Sequence, residues 1–457
     1  GNMRLTAFPL LVASSLLWSA GSSAAVRPHY GGILHVEMRA APASLDPADS
    51  NQSDWFGFRD VCTLMFETLV SLDEQGKPQP GLASSWQAEP GSQRWQFFLR
   101  RGITFQDGTL VTPDAVAASL RRTNPTWKVF AEGEAVIIER DSAAPDLPAE
   151  LSLVRNSIVK RDGGKVFGTG PFAVSAWDPG KKLSLAARDE YWGGRVFLDA
   201  IEIEMGKSFR EQMISFDLGK AQLVEVAPEQ AHRAVAEGRH IDSSAPVELI
   251  ALVFSRDSQS PDDGRQRQAF ALSLDRESLN TVVLQGGGEP AGGLLPNWMT
   301  GYGFLFRSSM DLDLARQIRS EIPHTTSWSL GYDPADPIAR VIAERVVLNA
   351  RDAGLGMQIT SAGNVDLRIV RIPLISLDAQ IALGEAAAGL GLSSPKFVSP
   401  SVDDLYSAEN KLLQSQRVIP LLHLRTAFAV SNSVKSWRTN RDGSWRLPDV
   451  WLGAEKP

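Results

Sequence analysis

The stretch "FFLRRGITFQDGTLVTPDAVAASLRR", residues 97–122, holds a strand, a turn and a capped helix start in one short unit. Phe97, Phe98, Leu99, Ile103 and Phe105 favour extended backbone, interrupted at Gly102, and Asp107-Gly108 is a turn dipeptide because glycine accepts positive φ. Thr112 offers an N-cap hydroxyl, Pro113 falls at the first helical position where its missing N–H costs nothing, and Asp114 suits the positive end of the helix dipole. Val116, Ala117 and Leu120 share one face, so a helix from about Pro113 packs on a core, and Arg121 and Arg122 suit its far end. The unit reads as scaffold: Asp-Gly is a turn, and Arg100-Arg101 is a solvated pair.

The whole chain has 457 residues, enough for two or three domains with ample core. Its formal charge is −7 and its lysines and arginines form no stripe, so no nucleic-acid partner is expected. Residues 1–25 stand apart. Met3-Arg4 begins a short cationic start, Leu5 to Trp18 is almost wholly apolar, and Ser23-Ala24-Ala25 is a small-residue cleavage pattern, which together predict a secretory signal peptide behind a Gly1-Asn2 cloning remnant. The apolar run is shorter than the roughly 20 residues of a membrane span, so an exported, soluble product is expected. Cys62 is the only cysteine, which excludes an intrachain disulfide and predicts a small buried hydrophobe.

Strands and helices alternate along the rest. Ile33, Leu34 and Val36 predict a first strand, the residues from about Phe58 to Leu69 a helix, and two β-patterned runs flank a hairpin turn at Asp178-Pro179-Gly180. Helical spacing recurs from Arg265 to Leu284, with a break near Asp275, and from Ala339 to Ala353, ended by Gly354. This is an α/β chain without an internal repeat. Cofactor and catalytic signatures are absent: Pro179-Gly180-Lys181-Lys182 lacks the earlier glycine of a phosphate loop, Gly286-Gly287-Gly288 lies in no dinucleotide fingerprint, the six histidines have no ligand spacing, and no Gly-x-Ser-x-Gly occurs. No cofactor and no metal are expected. A hydrolase, or a signalling or chaperone-like protein using one cleft, remains the alternative.

Six segments in order resemble one family, the extracellular solute-binding proteins of the dipeptide, oligopeptide and nickel class that serve ABC importers. They are "SLDPADS" (44–50), "FETLVSLDEQGKPQPGLASSW" (66–86), "LRRGITFQDGTLVTPDAV" (99–116), "GTGPF" (168–172), "DEYWGG" (189–194) and "RQRQAFALSLDRESL" (265–279). The resemblance implies a two-lobed periplasmic-binding-protein fold of the large, peptide-binding type. Its first lobe would be discontinuous, 26–255 with a return over 425–457, and would include a subdomain at about 58–166. The second lobe would be 256–424, and "ELIALVFS" (248–255) and "PLLHLRTAFAV" (420–430) would cross the hinge. It further implies a periplasmic monomer, without enzymatic activity, that captures a small solute or short peptide and delivers it to ABC transporter membrane subunits. The Trp-x-x-Asp…Asp-Pro segment of peptide-binding members is absent from residues 366–392, and Ser255 replaces the usual asparagine ending the first hinge strand.

A cleft of that kind needs polar groups from both lobes and apolar walls. The candidates are Trp55 and Phe56 as an aromatic wall or core packing, Ser255 and Arg256 at the hinge exit as ligand contacts or hinge bonds, and Trp298 as a mouth residue or packing. Arg371, flanked by apolar strand residues, must meet an anion or solvent; it is expected to hold a solute carboxylate at an open position or to pair with Asp378.

Overall fold

Two long strands, Ile241–Phe254 and Val418–Val430, pair antiparallel and run the length of an eleven-stranded sheet that threads both lobes. The computed structural model describes residues 26–49, 51–361 and 363–454, so the expected leader at 1–25 lies outside the described residues. On one side of the two strands the sheet continues through Leu223–Val226, Ile33–Glu37 and Ala200–Glu204 to the hairpin Phe172–Asp178 and Lys182–Ala187. On the other side it continues through Leu367–Pro373, Trp328–Gly331 and Met357–Thr360.

Side-chain alternation sends successive residues of the long strands to opposite faces of the sheet, and the cores they join there give the lobe. Ile250, Leu252 and Phe254 join Phe270, Leu330, Ile342 and Val346 in one second-lobe core, while Val247, Leu249 and Ala251 point to the opposite face with Leu383 and Leu405. On the return strand Leu421, Leu422 and Leu424 pack in the second lobe, and Phe428 and Val430 pack in the first with Leu34, Phe172 and Ile201. The crossing therefore falls between Ser243 and Glu248 on one strand and at Arg425-Thr426 on the other, about ten residues before the expected position at Ser255. There the ladder register shifts on both sides of Pro246, which has no N–H to give. Side chains replace the missing bonds: Thr426 N–H donates to Ser244 Oγ at 2.9 Å, and Arg425 Nη1 donates to the Ser244 carbonyl at 3.1 Å.

The opening sequence unit builds a subdomain. Strand Arg94–Leu99 pairs with Ala83–Ala88 and Ala135–Glu139, and helix Pro113–Thr123 buries Val116, Ala117 and Leu120 against Phe97, Phe105 and Ile138. Thr112 caps that helix as expected, accepting from Ala115 N–H at 3.1 Å. Thr112→Ala should cost about 1 kcal/mol in denaturant unfolding and leave solute affinity unchanged. A tenfold affinity loss at unchanged stability would instead put Thr112 in the site. Cys62 is 1% exposed in the first-lobe core, the packing role its sequence context predicted.

The subdomain also reaches the second lobe. Leu72, Ala149 and Leu153 pack on Ile375 and Ile381, and Arg155 Nη2 meets Glu385 Oε1 at 2.5 Å. Gly76, at φ +79°, permits the approach, because a Cβ there would lie 2.2 Å from the Leu377 carbonyl oxygen.

Candidate functional site

The carboxyl ends of parallel strands are where open α/β sheets place ligands, and four chain segments leave such ends here toward one point. Arg39 follows strand Ile33–Glu37, Glu225 and Pro228 end Leu223–Val226, Asp333 and Asp336 follow Trp328–Gly331, and Arg371 lies near the end of Leu367–Pro373. Together with the start of helix Trp55–Met65 and the hinge residues Glu248 and Arg425, they line a cleft of about 450 Å³ between the lobes.

Each side chain arrives for a local reason. Asp54 accepts from Gly57 N–H and starts the helix at Trp55, three residues before the expected start; Phe66 is extended, so the helix also ends before Leu69. Trp55 and Phe56 thus occupy the first turn and face the cleft, with the Arg59 guanidinium 5.2 Å from both ring centroids. Arg59 is 3% exposed; it donates through Nε to Asp60 at 3.1 Å and through Nη1 to the Asp442 carbonyl at 3.1 Å, while its buried Nη2 has no hydrogen-bond partner among the described residues. Leu367 and Ile369 bury the same face of their strand that Arg371 continues, so Arg371 emerges where the core stops and the cleft begins.

The carboxyls of this wall have unusual protonation. Burial, with the field of Asp54, pushes Glu225 up to about 8, although its Oε1 accepts from Arg39 N–H at 2.6 Å and Gln212 Nε2 at 3.1 Å. Burial raises Asp60, behind the wall, to about 7 despite Arg59. Glu248 is raised by burial against the pull of Arg371, with Asp54 and Asp336 adding repulsion. A carboxyl that titrates higher when folded binds more protons in the native than in the unfolded chain, so its contribution to stability falls as pH rises from about 4.5 to about 8. Glu225→Gln should therefore raise the melting temperature at pH 8 and change it little at pH 5. Equal shifts at both values, read by calorimetry, would remove Glu225 as the source of that slope. Buried His423, lowered to about 4, works oppositely: its contribution is lost as pH falls below about 6.5.

Of the candidates from sequence, Trp55, Phe56 and Arg371 meet in this cleft and the other three lie elsewhere. Ser255 is exposed past the far end of its strand, its N–H donating to the Asp366 carbonyl at 2.9 Å, and the Arg256 carbonyl accepts from Arg267 Nη2 at 3.0 Å. Trp298 braces the hinge from outside the cleft, donating Nε1–H to the Pro246 carbonyl at 2.7 Å beneath the Arg441 guanidinium. The expected Arg371 arrangement is corrected too. Asp378 caps the helix Ala379–Gly389, and Arg371 instead pairs with Asp336 at 2.6 Å and Glu248 at 2.9 Å, so its anion position is already filled. Arg39, Arg59, Glu225, Glu248, Asp333 and Asp336 were not singled out from sequence; position after a strand end was the available signal for Arg39, Asp333 and Asp336.

A two-lobed sheet joined by two crossing strands, with a polar cleft at the junction, defines a ligand-capturing receptor. The model of the bacterial extracellular solute-binding proteins, family 5, matches residues 77–128 and 134–369, well over half the chain. The chain belongs to that family, the solute-capturing components of ABC importers. It is 22% identical over 409 residues to a probable D,D-dipeptide-binding periplasmic protein of Escherichia coli (strain K12), covering 80% of this chain and 76% of that protein. It is 23% identical over 315 residues to an oligopeptide-binding protein of Bacillus subtilis (strain 168), covering 59% and 57%. The fold matches the nickel-binding protein NikA of Staphylococcus aureus, solved with Ni(L-His)2, at a TM-score of 0.76 and 17% identity over 92% of this chain and all of that one. It likewise matches a dipeptide-binding protein of Pseudoalteromonas sp. SM9913, solved with Met-Leu, at 0.75 and 15% identity over 92% of this chain and all of that one.

Proposed function

We propose that the protein is exported, works as a periplasmic monomer, and captures a small solute bearing an amine or guanidine group in the interlobe cleft for delivery to the membrane subunits of an ABC importer. The charge balance of the wall carries this reading. Arg371 is engaged by two carboxylates, Arg59 by Asp60 and Arg425 by Glu289, while Arg39 lies over the Phe209 ring. Against them, Asp54, Glu225 and Asp333 accept from neutral donors, and no ion pair engages them among the described residues. A cation entering this recess would hold Glu225, otherwise protonated up to about 8, in its ionised form beside Asp54 and Asp333, and the Trp55 and Phe56 faces add to the preference for a positive guest. The volume suits a small molecule.

A thermal-shift panel tests the reading: putrescine, agmatine, L-arginine and a lysine-containing dipeptide against succinate, acetate and L-glutamate. A cationic member should raise the melting temperature with concentration. Stabilisation by the anions alone would refute the assignment.

A further inference from the structure

The Arg371 guanidinium is held as an arginine holds a bound carboxylate ligand. Its Nε donates to Asp336 Oδ2 at 2.6 Å and its Nη2 to Asp336 Oδ1 at 3.2 Å, the planar paired contact, and Nη1 donates to Glu248 Oε1 at 2.9 Å. Asp336 does not come from the arginine's strand or from either strand beside it in the ladder of that segment. It stands on the loop after Trp328–Gly331, in the cleft wall. That loop is held stiffly. Ala335 N–H donates to Asp333 Oδ1 at 2.9 Å, Asp336 N–H to the Asp333 carbonyl at 3.0 Å, and Pro334 and Pro337 fix their own φ. Asp336 Oδ1 also accepts from Ile338 N–H at 3.1 Å, which anchors the carboxylate at the entry to helix Ala339–Asp352.

A tethered carboxylate on a stiff loop outcompetes a free one, because its effective concentration far exceeds that of any solute. A solute carboxylate taking its place would also leave Asp336 unpaired beside Glu248, in a wall already rich in acids. We propose that Asp336 is a specificity-determining residue of the cleft: its carboxylate is a built-in occupant of the anion seat on Arg371, closing that seat to carboxylate solutes while leaving the excess negative charge of the Asp336–Arg371–Glu248 group facing a positive one. The inference rests on the cleft being the solute site.

Chemical rescue tests it. Asp336→Ala frees Nε and Nη2 of Arg371, and sodium acetate is the probe, titrated against sodium chloride at equal ionic strength. Acetate should raise the melting temperature of Asp336→Ala by about 2 °C or more and leave the wild type unmoved. Asp336→Asn, which keeps the shape and fills the seat, should respond little. If the alanine variant does not fold, Asp336→Ser, whose hydroxyl can still accept from Ile338 N–H, carries the same titration. Equal responses of wild type and variant, or no response from a folded variant, would overturn the proposal. Those outcomes leave the cationic-solute reading to its own wild-type panel, and a panel without a cationic hit leaves the acetate result standing.

Discussion

Arg371→Ala should destabilise the protein by roughly 2–4 kcal/mol, a discount on the 3–5 kcal/mol of a fully buried broken pair because the guanidinium is 30% exposed. The loss comes from what remains. Asp336 and Glu248 have side chains 14% and 17% exposed, and without the guanidinium two carboxylates share one recess with Asp54 close by. An open anion position would have implied a ligand-free protein indifferent to this change; the paired arginine implies the opposite. The penalty should also depend on pH. With its cation gone, Glu248, already raised by burial, holds its proton more tightly still in the folded chain than in the unfolded one, so the variant should recover stability as pH falls from 8 toward 5. Urea unfolding at the two values checks the sign, and adding Glu248→Gln should restore part of the loss. A variant as stable as wild type at pH 8 would show the ion pairs to be of no consequence.

Glu385→Arg should open the molecule. The Arg155–Glu385 pair and the small apolar contact of Leu153 with Ile381 join the subdomain to the second lobe away from the hinge, so they favour the closed arrangement without touching the cleft wall. Charge reversal removes an attraction, sets two guanidiniums against each other and leaves the hinge bonds of Ser244 and Thr426 intact. Any solute held by both lobes then binds more weakly by the free energy needed to close, a loss of up to about tenfold. Distances between probes on the subdomain and the second lobe should lengthen in the ligand-free variant, and Arg155→Glu in the same chain should restore them. Unchanged distances would mean that the hinge alone sets the lobe angle.

Local chemistry made much of this fold readable. Thr112-Pro113 marked a helix start, Asp178-Pro179-Gly180 a hairpin, Asp275 a helix break, and the apolar runs near 250 and 420 the two crossing strands. Each is settled within a few residues of backbone. The crossing point is different: it depends on a register shift at Pro246 and on bonds between Ser244 and Thr426, 182 residues apart in sequence, so the end of the apolar run at Ser255 was a misleading marker. The site follows the same division. Trp55, Phe56 and Arg371 were recognisable as aromatic or charged residues beside strands. The partners that give Arg371 its character, 35 and 123 residues away, are set by tertiary packing alone. Asp378, near in sequence, was the plausible partner and is used for a helix cap instead.

A crystal structure of the complex with the strongest stabiliser from the cationic panel tests the central claim most directly. The account predicts the solute between the lobes, its positive group within hydrogen-bonding distance of Asp54, Glu225, Asp333 or Asp336, and its apolar part against Trp55 and Phe56. A solute in the separate second-lobe hollow lined by Gly292, Phe304, Arg307 and His423, or one whose carboxylate has displaced Asp336 from Arg371, would contradict it.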